Sequence, residues 1–171
     1  HLLLISMRSH LSPLVLLLSF LACLPAGAWT LTGRVSAVVS GDTIKVVDDR
    51  KVQHTVRLAG LDAPEKFQAH GQRSLDSLRE LVFQRGVVVD IPGNDKSTPR
   101  RGKVLVQGMH VNLEQLQRGM AWYDRAQVRD VPVADREAYA TAEAEARQQR
   151  VGLWRDPRPI PPWEYRQGLR K

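Results

Sequence analysis

The sequence predicts an α+β protein, mainly β: a five-stranded Greek-key barrel of the OB type carrying three helices. Three observations point to it. Apolar residues recur at every second position in successive short runs between residues 29 and 61, the period of strands. The period lengthens to that of a helix over residues 71–84 and returns to two between residues 87 and 111. The connections leave no room for the helical crossovers of a parallel sheet, and five strands at this spacing suit a small closed barrel.

The elements follow in order. Leu31, Gly33, Val35, Ala37 and Val39 share one parity in a first strand, Trp29 to Val39. Thr43 to Val47 and Val52 to Leu61 are β-branched strands joined by a hairpin turn at Asp48-Asp49-Arg50-Lys51. Leu75, Leu78, Leu81 and Val82 fall at helical spacing in Gly71 to Gln84, and Gly86 is expected to close that helix. Val87 to Ile91 is a strand and Pro92 to Pro99 a polar loop. Gly102 to Val106 and Met109 to Val111 flank a hairpin turn at Gln107-Gly108. Asn112 is expected to cap a helix carrying Leu113, Leu116 and Met120. Tyr123 to Val133 is irregular. Ala134 to Arg150 is a helix with Tyr139, Ala142 and Ala146 on one face. Trp154 is expected to plug the edge of the core, and Pro157 to Pro162 to form an extended, proline-rich tail.

The chain has 171 residues, single-domain length, and a formal net charge of +7. A basic surface suits a polyanion: nucleic acid, acidic polysaccharide or an anionic membrane. Met7-Arg8, the apolar run Leu14 to Leu24 and Ala26-Gly27-Ala28 match the charged start, core and small-residue cleavage site of a secretory signal. Residues 1–28 are therefore read as a leader cleaved after Ala28, with residues 1–6 upstream of Met7, and 29–171 as one domain with its proline-rich tail. The expected location is secreted or periplasmic, with no stable membrane partner. A lipid anchor at Cys23 is the rival, and Phe20-Leu21-Ala22 suits it poorly. Cleavage removes the only cysteine, which excludes disulfides and thiol chemistry from the mature protein. His54, His70 and His110 have no zinc-site spacing and are read as structural or surface residues.

Two segments carry chemistry: Ser40-Gly41-Asp42-Thr43 and Arg57-Leu58-Ala59-Gly60-Leu61-Asp62-Ala63-Pro64-Glu65. Each has a plain structural reading. Gly-Asp is a common turn, glycine allowing positive φ, and Asp-Ala-Pro-Glu can begin a helix. Together they place three carboxylates around an arginine. Hard divalent cations take carboxylate oxygens, and a guanidinium takes phosphate in a two-pronged contact. The pair reads as a metal-assisted phosphodiester site.

This order of segments resembles the staphylococcal (thermo)nuclease family from Gly33 to about Arg166. The resemblance rests on Val38-Val39-Ser40-Gly41-Asp42-Thr43, the Val56 to Glu65 segment, His70-Gly71-Gln72-Arg73-Ser74, Val111-Asn112-Leu113-Glu114 and Gly152-Leu153-Trp154. It implies an OB barrel with three helices and a calcium ion (Ca2+) on Asp42 and Asp62, helped by a main-chain carbonyl near Ala63. It implies a phosphate-binding role for Arg57 and a water-orienting or basic role for Glu65. It further implies cleavage of DNA and RNA to 3′-phosphate and 5′-hydroxyl ends. The expected protein is a monomer that prefers single-stranded or locally unpaired substrate.

One departure stands out. The family usually carries Asp-(Lys/Arg)-Tyr-Gly-Arg before the fifth strand, its arginine being a second phosphate ligand. Counted back without gaps from Gly102 to Val106, that pattern falls on Asp95-Lys96-Ser97-Thr98-Pro99. Proline offers phosphate neither a side-chain donor nor an N–H. Arg101 is the expected substitute, because it shares the face of Pro99 along an extended chain, with Arg100 second. Trp122 and Tyr123 are expected near a nucleotide base, with core packing the equal alternative, and Lys66, Lys96 and Lys103 are candidates for phosphate contact, the commoner role of a surface lysine being to keep the protein soluble. Glu143, Glu145 and Arg147 read as a solvated helix face. A second class of function is an OB barrel that binds nucleic acid without cutting it, which the Ser97-Thr98-Pro99 departure favours. A third is a basic envelope protein that binds acidic polymers.

Overall fold

The computed structural model describes residues 29–93 and 95–168. The leader expected over 1–28, including Cys23, lies outside them.

The barrel is wound around one long strand. β1 (Trp29–Ser40) pairs antiparallel with β2 (Thr43–Asp48) along its second half and with β5 (Gly86–Ile91) along its first. Its register slips between Val35 and Ala37 and again between Val38 and Ser40. Such bulges bend a strand and re-aim its side chains. The alternation read from the sequence therefore holds for Leu31 and Val35, which are buried, and fails at Val39, which is exposed, while Val38 packs against the core.

β2 continues antiparallel into β3 (Gln53–Leu58). β6 (Arg100–Val106) pairs with β5 and then, in parallel, with β3 through Val56↔Arg100, Arg57↔Arg101 and Leu58↔Gly102. That last pairing closes a five-stranded barrel and removes the free sheet edges. β7 (Met109–His110) is a short hairpin partner of β6 across Gln107 and Gly108, both at positive φ.

Inward residues such as Ile44, Val46, Val56, Leu58, Val89, Ile91, Val104 and Val106 fill the interior. Each such side chain contributes about 1.5–3 kcal/mol by leaving water. α1 (Gly71–Val82) adds Leu78, Leu81 and Val82 to the same core. The residue that ends it in the left-handed region is Gln84, not the expected Gly86, which opens β5. The Gln84 N–H donates to the Val35 carbonyl, so the bulged part of β1 sets that exit.

α2 (Val111–Gln117) starts at His110, and Asn112 lies inside it rather than at its cap. The Asn112 amide instead accepts from Val104 N–H at 2.9 Å and donates to the Ala59 and Gly102 carbonyls at 3.2 Å each. It bridges β6 to the chain just past β3, where the parallel ladder opens. α3 (Arg136–Gln148) buries Tyr139, Ala142 and Ala146 as its pattern implies. Glu143 is the correction on that helix: it is 2% exposed, not solvated. Its carboxylate accepts Tyr123 N–H at 2.9 Å and pairs with Arg125 at 3.0 Å and Arg147 at 3.2 Å.

Trp154 is buried with Trp122, Ala146 and Leu153 in a second apolar cluster. The tail runs through Pro157 to Pro161 as expected, and then forms a short fourth helix, α4 (Pro162–Gly168). Pro162 occupies its first turn, where a missing N–H costs nothing. No helix among the described residues is long and apolar enough to cross a membrane.

Candidate active site

The Asp42 turn is made by close approach. A Cβ on Gly41 would overlap the Ser74 hydroxyl on α1 and lie 2.9 Å from the Ala63 Cβ. Gly41 does not have positive φ, so lack of bulk is what the site requires. Asp42 is 5% exposed. Its Oδ1 accepts from Ser40 Oγ at 2.7 Å and Thr43 Oγ1 at 2.8 Å. Its Oδ2 accepts from Ala63 N–H at 3.1 Å and from Arg57 Nε and Nη2 at 3.2 and 3.0 Å. Five donors hold the carboxylate in one orientation.

The β2–β3 register places Arg57 opposite Thr43, directly beside Asp42. Beyond β3, Gly60 at φ 75° turns the chain into β4 (Leu61–Asp62), which pairs with β8 (Trp122–Tyr123). This brings Asp62, 1% exposed, under the same arginine. Arg57 Nη2 donates to Asp62 Oδ1 at 2.8 Å. One nitrogen thus joins carboxylates from two separate turns. Burial holds Asp62 above the ordinary carboxylate pKa, and the neighbouring Asp42 charge adds to it; Arg166 and Arg57 pull the other way.

Glu65 follows on a turn secured by its own N–H to Gln68 Oε1 at 3.0 Å. Its side chain is 41% exposed, at the open rim of the cluster.

The residue sequence reasoning missed is Arg166, on α4. Its Nη1 and Nη2 donate to Asp62 Oδ1 and Oδ2 at 3.1 and 2.7 Å, and Nη1 also donates to Glu65 Oε1 at 2.7 Å. Hydrogen bonding to Asp62 raises its pKa well above the usual arginine value, keeping it charged. The legible signal was the end of the tail: two prolines, then Trp163 and Arg166 three residues apart on one helical face.

The other expected residues fall as follows. Arg101 is in register with Arg57, so both side chains leave the sheet on one side, and its guanidinium pairs with Asp130 at 3.1 Å. Arg100 sits opposite Val56, bonds the Asp95 carbonyl and lies over the Trp29 ring at 5.6 Å. Lys66 and Lys96 are exposed, and Lys103 pairs with Asp135 at 2.9 Å. Trp122 and Tyr123 are buried. Trp122 is packed edge-to-face on Trp154 and Trp163, and Tyr123 on Tyr139, which leaves them to wall a cleft rather than to present an open ring face. That cleft, about 400 Å³, opens beside Asp62 and includes Arg125, Arg147 and Arg166.

A closed OB-like barrel with an acid and guanidinium cluster on its flank defines a class: the small barrel nucleases. The chain belongs to the staphylococcal nuclease family, matching the family described as "Staphylococcal nuclease homologue" over residues 55–156. It is 40% identical over 149 residues to "Protein ParB" of Escherichia coli, covering 81% of each chain. It is 39% identical over 167 residues to an "Uncharacterized endonuclease" of Escherichia coli, covering 94% of this chain and 98% of that one. It is 36% identical over 153 residues to "Micrococcal nuclease" of Shigella flexneri, covering 81% of this chain and 83% of that one. Family and relatives support nuclease activity for this chain, with nucleic acid as its substrate class.

Proposed function

We propose that the chain is an exported, calcium-dependent nuclease that hydrolyses DNA and RNA as a monomer. On this reading it prefers single-stranded or unpaired substrate and leaves 3′-phosphate and 5′-hydroxyl ends. The observation that carries it is the convergence of Asp42 Oδ2 and Asp62 Oδ1 on one cationic nitrogen, at 3.0 and 2.8 Å. Two buried anionic oxygens already gathered on one cation fit a hard divalent ion. Among the described residues no three or more His, Cys, Asp or Glu are grouped so as to hold a metal ion, so on this reading Asp42 and Asp62 would supply two ligands and water would complete the shell. Calcium held by Asp42 and Asp62 would supply positive charge to the phosphate and to a bound water.

The chain's own residues account for the rest. Arg57 is anchored through Nε and Nη2, and its Nη1 has no partner among the described residues. That nitrogen is free to hold a non-bridging phosphate oxygen as charge builds there. Glu65, at the rim, is exposed enough to meet water and take its proton. As Glu65 takes the proton, the water oxygen bonds to phosphorus and the bond from phosphorus to the 5′-oxygen breaks; the departing 5′-oxygen takes a proton from solvent water, and the phosphate stays on the 3′ side.

Digestion of single-stranded DNA and of RNA, with calcium and with excess chelator, tests the reading. Cutting that needs calcium and leaves 5′-hydroxyl ends supports it. Cutting that survives chelation removes the metal assignment. Calcium-dependent binding without cutting would support the binding-module alternative.

A further inference from the structure

Arg166 has a place in the site that the fold alone does not explain. It comes from the C-terminal segment, beyond the residues that build the barrel, and ends on two carboxylates of the Arg57 to Glu65 segment. The segment is seated rather than draped. The buried Gln68 donates to the Ile160 carbonyl at 2.6 Å, and Trp163 packs edge-to-face on Trp122 with ring centroids 5.5 Å apart. The guanidinium is delivered at a fixed point.

That point lies beside Arg57. Arg57 Nη2 and Arg166 Nη1 both donate to Asp62 Oδ1, at 2.8 and 3.1 Å, so the two guanidiniums stand side by side within reach of one tetrahedral anion. Arg166 is 36% exposed and faces the cleft beside Asp62, and its Nε has no partner among the described residues. Of the two arginines nearest Pro99, Arg100 bonds the Asp95 carbonyl and lies over Trp29, and Arg101 pairs with Asp130; neither bonds Asp42, Asp62 or Glu65, whereas Arg166 bonds the latter two.

We propose that Arg166 is a substrate-binding catalytic residue: its guanidinium, supplied by the C-terminal segment, holds the reacting phosphate together with Arg57. This rests on the nuclease reading and adds a residue to it. A cation that bridges Asp62 and Glu65 in the free protein restrains both acids. The same cation turned to phosphate places a second two-pronged donor on an anion that Arg57 alone would hold from one side. The C-terminal segment then completes the site, and its seating on Trp122 and Gln68 sets the position of the arginine.

The test uses the full chain and two readouts, turnover on single-stranded DNA at saturating calcium and calorimetric titration with thymidine 3′-phosphate, a product-like ligand. Arg166→Ala is expected to lower kcat at least a hundredfold and to weaken nucleotide binding at least tenfold, with an unchanged circular dichroism spectrum. Arg166→Lys is expected to recover only part of either, because a point charge cannot make the forked contact. Nucleotide affinity and turnover within threefold of the parent in Arg166→Ala would overturn the proposal. So would faster cutting by Arg166→Ala at limiting calcium, which would make the arginine an occupant of the cation position and nothing more. If the parent does not cut nucleic acid but binds the nucleotide through Arg166, the nuclease reading fails and the phosphate-binding role stands. If the parent does not bind the nucleotide, the role itself fails.

Discussion

Replacing Asn112 with alanine removes one amide and leaves two backbone groups stranded. The Asn112 side chain is fully buried. Without it, the Val104 N–H loses its acceptor at 2.9 Å and the Ala59 carbonyl its donor at 3.2 Å. The Gly102 carbonyl keeps the Ala59 N–H at 2.9 Å and is not stranded. A buried polar group left without a partner costs about 1–3 kcal/mol, so two cost about 2–6 kcal/mol. The upper half of that range would consume much of the roughly 5–15 kcal/mol that holds a domain folded. Urea unfolding of Asn112→Ala, followed by far-ultraviolet circular dichroism, should show a loss of about 4 kcal/mol with an unchanged m-value, and a melting temperature lower by roughly 10 °C or more. Activity should fall less than stability at temperatures where the variant is folded, because Asn112 touches the chain leading to Asp62 and not Asp62 itself. A loss below about 1 kcal/mol would refute the reasoning, since it would mean that water or a shifted strand satisfies both groups.

Arg57→Lys should lose at least a hundredfold in turnover while remaining folded, because lysine cannot hold Asp42 and Asp62 from one planar group and still offer a free donor; near-normal kcat would remove that role. Arg101→Ala should change turnover less than threefold and stability by less than about 1 kcal/mol, its pair with Asp130 being partly exposed; a large loss in kcat would restore Arg101 as a phosphate ligand. His110 gives a stability change with pH. Burial and the Lys103 charge hold its pKa down to about 4, against a partial pull upward from Asp135, and its Nε2 is hydrogen-bonded with the Tyr139 hydroxyl at 2.9 Å. The unfolded chain binds this proton more readily, so the neutral ring's contribution is full above about pH 6.5 and is lost as pH falls toward 4. Allowing for its partial exposure the contribution is about 1–2 kcal/mol, and His110→Gln should flatten the urea-stability profile across that window. A profile with the same slope in both proteins would exclude His110 as its source.

Local patterns made most of the barrel legible. Two-residue alternation located β2, β3, β5 and β6, and the helical period located α1 and α3, because burial on one face writes itself into sequence at short range. Motif spacing brought Asp42, Arg57, Asp62 and Glu65 into view as neighbours, and the β2–β3 hairpin with the Gly60 turn is what makes them so. What stayed hidden depends on distant parts of the chain. Gly41 is small because α1 and Ala63 press on it, not because its backbone turns left. Glu143 has a helix-surface spacing, yet it is buried because Tyr123 and Arg125 arrive on it from the preceding segment, with Arg147 of its own helix pairing beside them. Arg166 lies 101 residues beyond Glu65, and only the docking of the tail brings them together.

The seating of α4 has an optical consequence. Of the four tryptophans, Trp122, Trp154 and Trp163 form one cluster of edge-to-face rings, with centroids 4.4 Å apart for the first pair and 5.5 Å for Trp122 and Trp163. Trp163 moves with the C-terminal segment and the other two stay with the body of the protein. Release of the segment would uncouple one indole from the cluster and wet its neighbour, leaving the barrel untouched. Trp29, at the outer end of β1, would contribute a steady background. Intrinsic fluorescence and near-ultraviolet dichroism therefore report directly, without a label, whether the C-terminal segment is seated.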